Sequence, residues 1–265
     1  MMTGNIFLSD ILIRRAGRII LNIDNLKINA GDFVSVIGTN GAGKTTLLKL
    51  CCGLLKPNRG LVKLGGKDLT QLSIWNKSNL RKHIGYIPQS AEYNPDLPFT
   101  LREIVAMGRT SAKPLLKKLN SEDYEIVDNW INKLGLYDLR NQTFRSLSGG
   151  EQQKTLIARA MAQKPRVLML DEPCSNLDFN WKFQITEIID QLYSMTKITI
   201  LMVSHETNLL PAGCHRTILL HKGNLVADGD IAEILESKVF EQAYGCKVET
   251  VILGGRKYTV NKGIK

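Results

Sequence analysis

Apolar residues along this chain come in short blocks, most of them bounded by glycine. Residues 33–37 form an apolar run that ends in glycine-rich sequence, and residues 45–52 read as a helix that Gly53 stops. Residues 167–170 and 198–203 are two further buried-strand candidates, with a helix predicted over 180–195 between them. Strand, helix, strand is the order of a parallel sheet built with crossover connections. The first thirty residues differ. Residues 6–13 and 19–28 predict strands on either side of an Ala16-Gly17 turn, paired antiparallel.

Between residues 89 and 147 the pattern becomes mainly helical. Thr100 and Glu103 form a capping box that opens the apolar stretch Ile104-Val105-Ala106-Met107. Val127, Trp130, Ile131 and Leu134 recur at helical spacing, and Gly135 supplies the stop. Residues 248–260 alternate around Gly254-Gly255 and read as a hairpin. The fold class is therefore α/β, with an N-terminal antiparallel β region and an inserted α-helical subdomain.

Composition narrows the setting. With 265 residues, 43% of them hydrophobic and 23% charged, the chain is an ordinary globular protein of one large domain or a core plus a subdomain. No apolar stretch reaches the roughly 18 residues that a membrane span requires, and the N-terminus lacks the features of a signal peptide. Work at a membrane therefore implies a partner that carries the chain there. Cys51, Cys52, Cys174, Cys214 and Cys246 show neither metal-ligand spacing nor a disulfide framework, and read as small core or helix-face residues in a reducing compartment. The net charge of +10 is scattered, with small clusters at Arg14-Arg15 and residues 113–118. No aromatic residues interleave with it, so a basic surface near acidic lipid headgroups is favoured over nucleic acid.

The candidate chemistry lies in three places. Gly38-Thr39-Asn40-Gly41-Ala42-Gly43-Lys44-Thr45-Thr46 matches G-x-x-x-x-G-K-S/T and sits between a predicted strand and a predicted helix. Its glycines let backbone N–H groups point at phosphate oxygens, Lys44 adds a mobile positive charge, and Thr45 offers a hydroxyl to Mg²⁺. Asp171 and Glu172 follow a four-residue apolar strand, at the end where open α/β sheets bind ligands. Asp171 is expected to hold Mg²⁺ and Glu172 to orient the attacking water. These two elements predict a P-loop NTPase core of the RecA-like kind. The third is Leu147-Ser148-Gly149-Gly150-Glu151-Gln152-Gln153. Ser148 and Glu151 form a second capping box, and two glycines after the cap bare a helix N-terminus that can take an anion.

With that third motif the sequence resembles the ABC ATPase family, whose signature is LSGGQ or LSGGE, over essentially the whole chain. The resemblance implies roles for weaker signals. Gln89 matches the Q-loop glutamine that contacts Mg²⁺ and the attacking water. Asp178, in Ser175-Asn176-Leu177-Asp178, matches the D-loop aspartate at a dimer interface. His205 matches the switch histidine on the γ-phosphate. It also divides the chain into a nucleotide-binding core at 1–88 and 156–240, a helical subdomain at 89–155 and a C-terminal hairpin extension at 241–265. One position departs: Arg15 stands where the family usually places an aromatic residue under adenine, and a guanidinium can also stack on a base.

The implied machine hydrolyses ATP with Mg²⁺ between two copies of the chain, the P-loop of one facing Ser148-Gly149-Gly150 of the other. It would dock peripherally on permease subunits at the cytoplasmic face of the membrane, in a system with an extracytoplasmic substrate-binding protein. A soluble relative acting on ribosomes or DNA is the contrasting class. A single cassette, and residues 47–146 without sustained heptads between P-loop and signature, favour transport. Residues 98–109 and 240–251 resemble the corresponding segments of iron–siderophore, haem and cobalamin importers. A zinc or manganese importer is the alternative, and an exporter stays open.

Overall fold

The structure, a computed structural model, describes residues 3–89, 98–114, 117–253 and 256–264. Its first two strands, β1 (Ile6–Arg15) and β2 (Arg18–Ile28), pair antiparallel from Ile6↔Ile28 to Arg15↔Arg18. Ala16 and Gly17 close the turn at φ +47° and +76°, the left-handed region a tight hairpin demands. Burial on β1 alternates as Ile6 and Leu8, then Ile11 and Ile13. The skipped beat is Asp10 at φ +52°, a bulge-like irregularity that resets the phase. β4 (Arg59–Leu64) and β5 (Lys67–Asp68) extend this sheet on the other edge of β1.

The parallel core runs β9 (Arg216–His221), β3 (Phe33–Gly38), β8 (Thr199–Val203), β7 (Val167–Asp171), β6 (Ile84–Ile87). Every residue of β3, β7 and β8 is buried, as expected of strands covered on both faces. Alternate residues serve different layers. Val34, Val36, Met169 and Leu201 join the N-terminal strands and α1 (Lys44–Cys51), whereas Phe33, Leu168, Leu170 and Ile200 meet the helices of the opposite face. β10 (Asn224–Gly229) turns back antiparallel on β9 and touches β2 at Asn224↔Asn22, which joins ten strands into one sheet.

That helical face is made by α3 (Leu101–Ala112), α4 (Ser121–Lys133), α5 (Gly149–Ala162) and α6 (Phe179–Thr196). Gly108 brings α3 close to α5, since a Cβ there would lie 2.1 Å from the Arg159 carbonyl oxygen. α5 continues without a break past residue 155, so the boundary drawn from sequence at 155/156 falls inside a helix. α2 (Ile74–Arg81) precedes β6, and α7 (Ile231–Leu235) and α8 (Lys238–Tyr244) pack on Ile37 and Leu219. The C-terminal hairpin is a separate two-stranded sheet, β11 (Cys246–Leu253) and β12 (Arg256–Ile264); its expected Gly254-Gly255 turn lies outside the described residues. Among the described residues no helix is long and apolar enough to cross a membrane. Cys51, Cys52, Cys174 and Cys214 are buried free thiols, and Cys246 is half-buried.

Candidate functional site

The glycine-rich loop leaves the end of β3 and is shaped by close backbone approaches. A Cβ on Gly38 would fall 2.3 Å from the Leu220 carbonyl oxygen, and one on Gly43 2.7 Å from that of Ile20. Gly41 and Gly43 take φ of +78° and +99°. Within the loop Ala42 N–H donates to Thr39 O at 3.1 Å, and Gly223, in the β9–β10 turn, donates to Ala42 O at 3.2 Å. Asn40 is exposed at the tip, whereas Thr45 and Thr46 are half-buried in the first turn of α1. The N-cap of α1 is Gly43, and no side chain caps the helix. Its first N–H groups are therefore left for a ligand, as an anion site requires.

Lys44 folds back over this loop, its ammonium donating to Gly38 O at 2.8 Å and Thr39 O at 3.0 Å. Burial lowers its pKa, and the nearby charges of Glu172 and Asp171 oppose that shift. Thr45 Oγ1 donates to Asp171 Oδ1 at 3.0 Å, and the Tyr86 hydroxyl reaches Asp171 Oδ2 at 3.4 Å. Asp171 is almost completely buried, which raises its pKa; the bonds from Thr45 and Tyr86 pull the other way. Glu172 sits at φ +52° just past β7, its N–H bonded to Val203 O at 3.1 Å. Gln89 Nε2 donates to Glu172 Oε2 at 2.6 Å, and His205 Nε2 contacts Glu172 Oε1.

Thus β3, α1, β7, β8 and the segment after β6 bring Lys44, Thr45, Asp171, Glu172, Gln89 and His205 into one cluster. Gln89 is turned toward Glu172 and not toward Thr45 and Asp171, the other proposed metal ligands. Among the described residues no group of three or more His, Cys, Asp or Glu could hold a metal unaided.

The other candidates form a second group at two helix N-termini. Ser148 N–H donates to Glu151 Oε2 at 2.7 Å and Glu151 N–H returns to Ser148 Oγ at 3.4 Å, completing the capping box on α5. Asp178 Oδ1 accepts the Trp181 N–H at 2.9 Å and caps α6. Gly149 is exposed, but Gly150 is buried against Trp181, a neighbour that sequence reasoning did not identify. Tyr86 was missed as well; the available signal was a polar aromatic residue three positions before Gln89.

Arg15 belongs to neither group. It is exposed at the hairpin end opposite Arg18, and its side chain makes no hydrogen bond or ion pair among the described residues. The same hairpin does approach the phosphate loop, through Ile20 against Gly43.

The phosphate loop, the lysine over it and the acidic pair at the end of β7 define a nucleotide-hydrolysing P-loop cassette. The chain belongs to the ABC transporter family, whose description it matches over residues 21–175. It is similar to the petrobactin import ATP-binding protein FpuC of Bacillus anthracis, 36% identical across 85% of this chain and 81% of the relative. The high-affinity zinc uptake system ATP-binding protein ZnuC of Bacillus subtilis is 35% identical across 82% and 90%. Among solved structures, an inward-facing one described as an ABC transporter of metal-chelate type aligns with a TM-score of 0.82 at 26% identity, covering 98% of both chains. The dimeric cassette MJ0796 bound to ADP and Pi aligns with a TM-score of 0.75 at 26% identity, covering 85% of this chain and 98% of that one. The chain is accordingly an ATP-binding, ATP-hydrolysing subunit of an ABC transporter.

Proposed function

We propose that this subunit hydrolyses ATP sandwiched between two copies of itself to power import of an iron chelate, haem or cobalamin. The observation that carries the catalytic part is the convergence of Gln89 and His205 on the two oxygens of Glu172, beside the Lys44 loop. Loop N–H groups and Lys44 hold the phosphates; Glu172 orients and polarises the attacking water; His205 meets the γ-phosphate. Thr45 and the buried Asp171 present hard oxygen donors 3.0 Å apart and so suit Mg²⁺, with Gln89 as a further ligand once it leaves Glu172. Bound there, Mg²⁺ neutralises phosphate charge. Ser148, Gly149, Gly150 and Asp178 serve the other copy's nucleotide, and Arg15 stacks on adenine.

A groove of about 380 Å³ between α2 and the α3–α5 pair is lined by Ser78, Arg81, Lys82, Met107, Gly108 and Arg159, among others, with no carboxylate among the described residues. It suits a cytoplasmic loop of a permease, which would hold the subunit on the cytoplasmic face of the membrane beneath a substrate-binding protein outside. The cargo reading is supported by the petrobactin and iron-hydroxamate import relatives and by the full-length match to the metal-chelate type structure. The zinc relative, nearly as similar, supports zinc import as the second reading.

The test is affinity purification from native membranes in mild detergent, followed by uptake of labelled iron chelate and labelled zinc in cells lacking the subunit. Recovery of a polytopic permease, with only chelate uptake lost, agrees with the proposal. Recovery of ribosomal or DNA-repair proteins without a permease sinks it, and loss of zinc uptake alone moves it to the second reading.

A further inference from the structure

The two glycines after Ser148 have different surroundings. Among the described residues a Cβ on Gly149 would meet only Leu177 Cδ2, at 3.4 Å, whereas one on Gly150 would lie 1.9 to 2.4 Å from three carbons of the Trp181 indole. Gly150 therefore lacks a side chain because the indole already fills that space. Leu177 and Trp181 flank Asp178, whose carboxylate caps α6 through the Trp181 N–H. One turn into α5, the Lys154 ammonium lies 5.0 Å from the centroid of the same ring. Burial lowers the pKa of Lys154, and the charge of Glu151 opposes that shift. Farther along, α6 is fixed in the core by Ile185, Ile189 and Leu192. The first turn of α5, with Ser148 and Gly149 exposed, is thus tied by one indole to a helix anchored in the core.

We propose that Trp181 is a positioning residue for ATP hydrolysis: it sets the pose of the Ser148-Gly149-Gly150 turn and joins it to the Asp178 loop. The two motifs then meet the other copy as one preformed surface. This rests on the ATP-sandwich reading above. An anion site made of backbone N–H groups works only while those groups point at one place, and misplacement by about 1 Å can cost around a hundredfold in rate. Trp181 belongs to the signature cluster and not to the Lys44 cluster, so a chain's own grip on ATP does not depend on it.

The test uses the full chain with Glu172→Gln to hold ATP unhydrolysed, and follows dimerisation by sedimentation alongside ATP affinity of the monomer. W181A is expected to weaken ATP-driven dimerisation at least about tenfold, leaving monomer affinity within about twofold. In chains that keep Glu172, kcat should fall by a similar factor at unchanged KM. W181F, which keeps a ring over Gly150, should recover most of both. Should W181A not fold, W181L makes the same comparison with W181F. Dimerisation of W181A equal to that of the parent overturns the inference alone, as does W181F performing no better than W181A. A parallel loss of monomer ATP affinity also overturns it, because the effect would then be general. A Glu172→Gln chain that stays monomeric with Trp181 intact overturns the sandwich reading and this inference together.

Discussion

The side-chain amide of Gln89 donates to Oε2 of Glu172 over 2.6 Å, leaving Oε1 to His205. Both oxygens of the proposed water-orienting carboxylate are therefore engaged by the chain itself. A water polarised there shares the carboxylate with these two partners, using a lone pair that neither takes. Glu172→Gln is expected to lower kcat at least about a hundredfold and to accumulate an ATP-bound dimer. Gln89→Ala frees one oxygen and should cost only about tenfold, a contrast that steady-state ATPase measurements on purified protein would reveal.

Lys44 offers a cleaner separation of binding from chemistry. Its ammonium already bridges Gly38 O and Thr39 O, and so stands over the loop. Lys44→Ala should weaken ATP binding by about 10- to 100-fold, the loss expected for one charge-assisted hydrogen bond. Titration calorimetry with ATP checks this; undiminished affinity would remove Lys44 from the phosphate site.

Arg15 carries a smaller expectation. An exposed guanidinium stacked on a base is worth about 0.5–1 kcal/mol, so Arg15→Ala should weaken ATP binding by roughly two- to fivefold. A fluorescent-nucleotide titration giving identical affinities for the two proteins would end the stacking idea.

Asp123 links acid stability to the helical layer. It accepts from Arg109 at 2.9 Å, from Lys113 at 2.7 Å and from the Asn120 N–H at 3.1 Å. Burial alone would raise its pKa, but Lys113, Asn120 and Arg109 outweigh that and hold it at about 2. A carboxylate with a depressed folded pKa stabilises the protein above its unfolded pKa, and that contribution fades as pH falls from about 4 toward 2. Asp123→Asn should cost about 1–2 kcal/mol at pH 7 and almost nothing at pH 2. Urea melts of both proteins across that range would show the two curves converging.

The parallel core was legible because β3, β7 and β8 are apolar at nearly every position, and the signature helix because Ser148 and Glu151 announce its start. The strands β6 and β10 were not. β6 is four residues long, and β10 is largely half-exposed and polar at Asn224 and Asp228, so neither shows a clear period. Glu172 was read from its place after a strand, yet its positive φ follows from the turn beyond β7 and leaves no mark in composition. Trp181 was invisible for a related reason. Its role depends on two helix N-termini meeting in space, and nothing in the spacing of Gly150 and Trp181 along the chain reports that.

The uninterrupted course of α5 has a mechanical meaning. Fourteen residues span about 21 Å, with Gly149 and Gly150 at one tip and Arg159, beside the groove, near the other. A rod held by its own backbone bonds hardly shortens or bends over that distance. Any tilt imposed on the signature tip must reappear as travel at the groove. Whatever sits in that groove is in effect gripping the far end of a lever whose near end is the proposed phosphate contact.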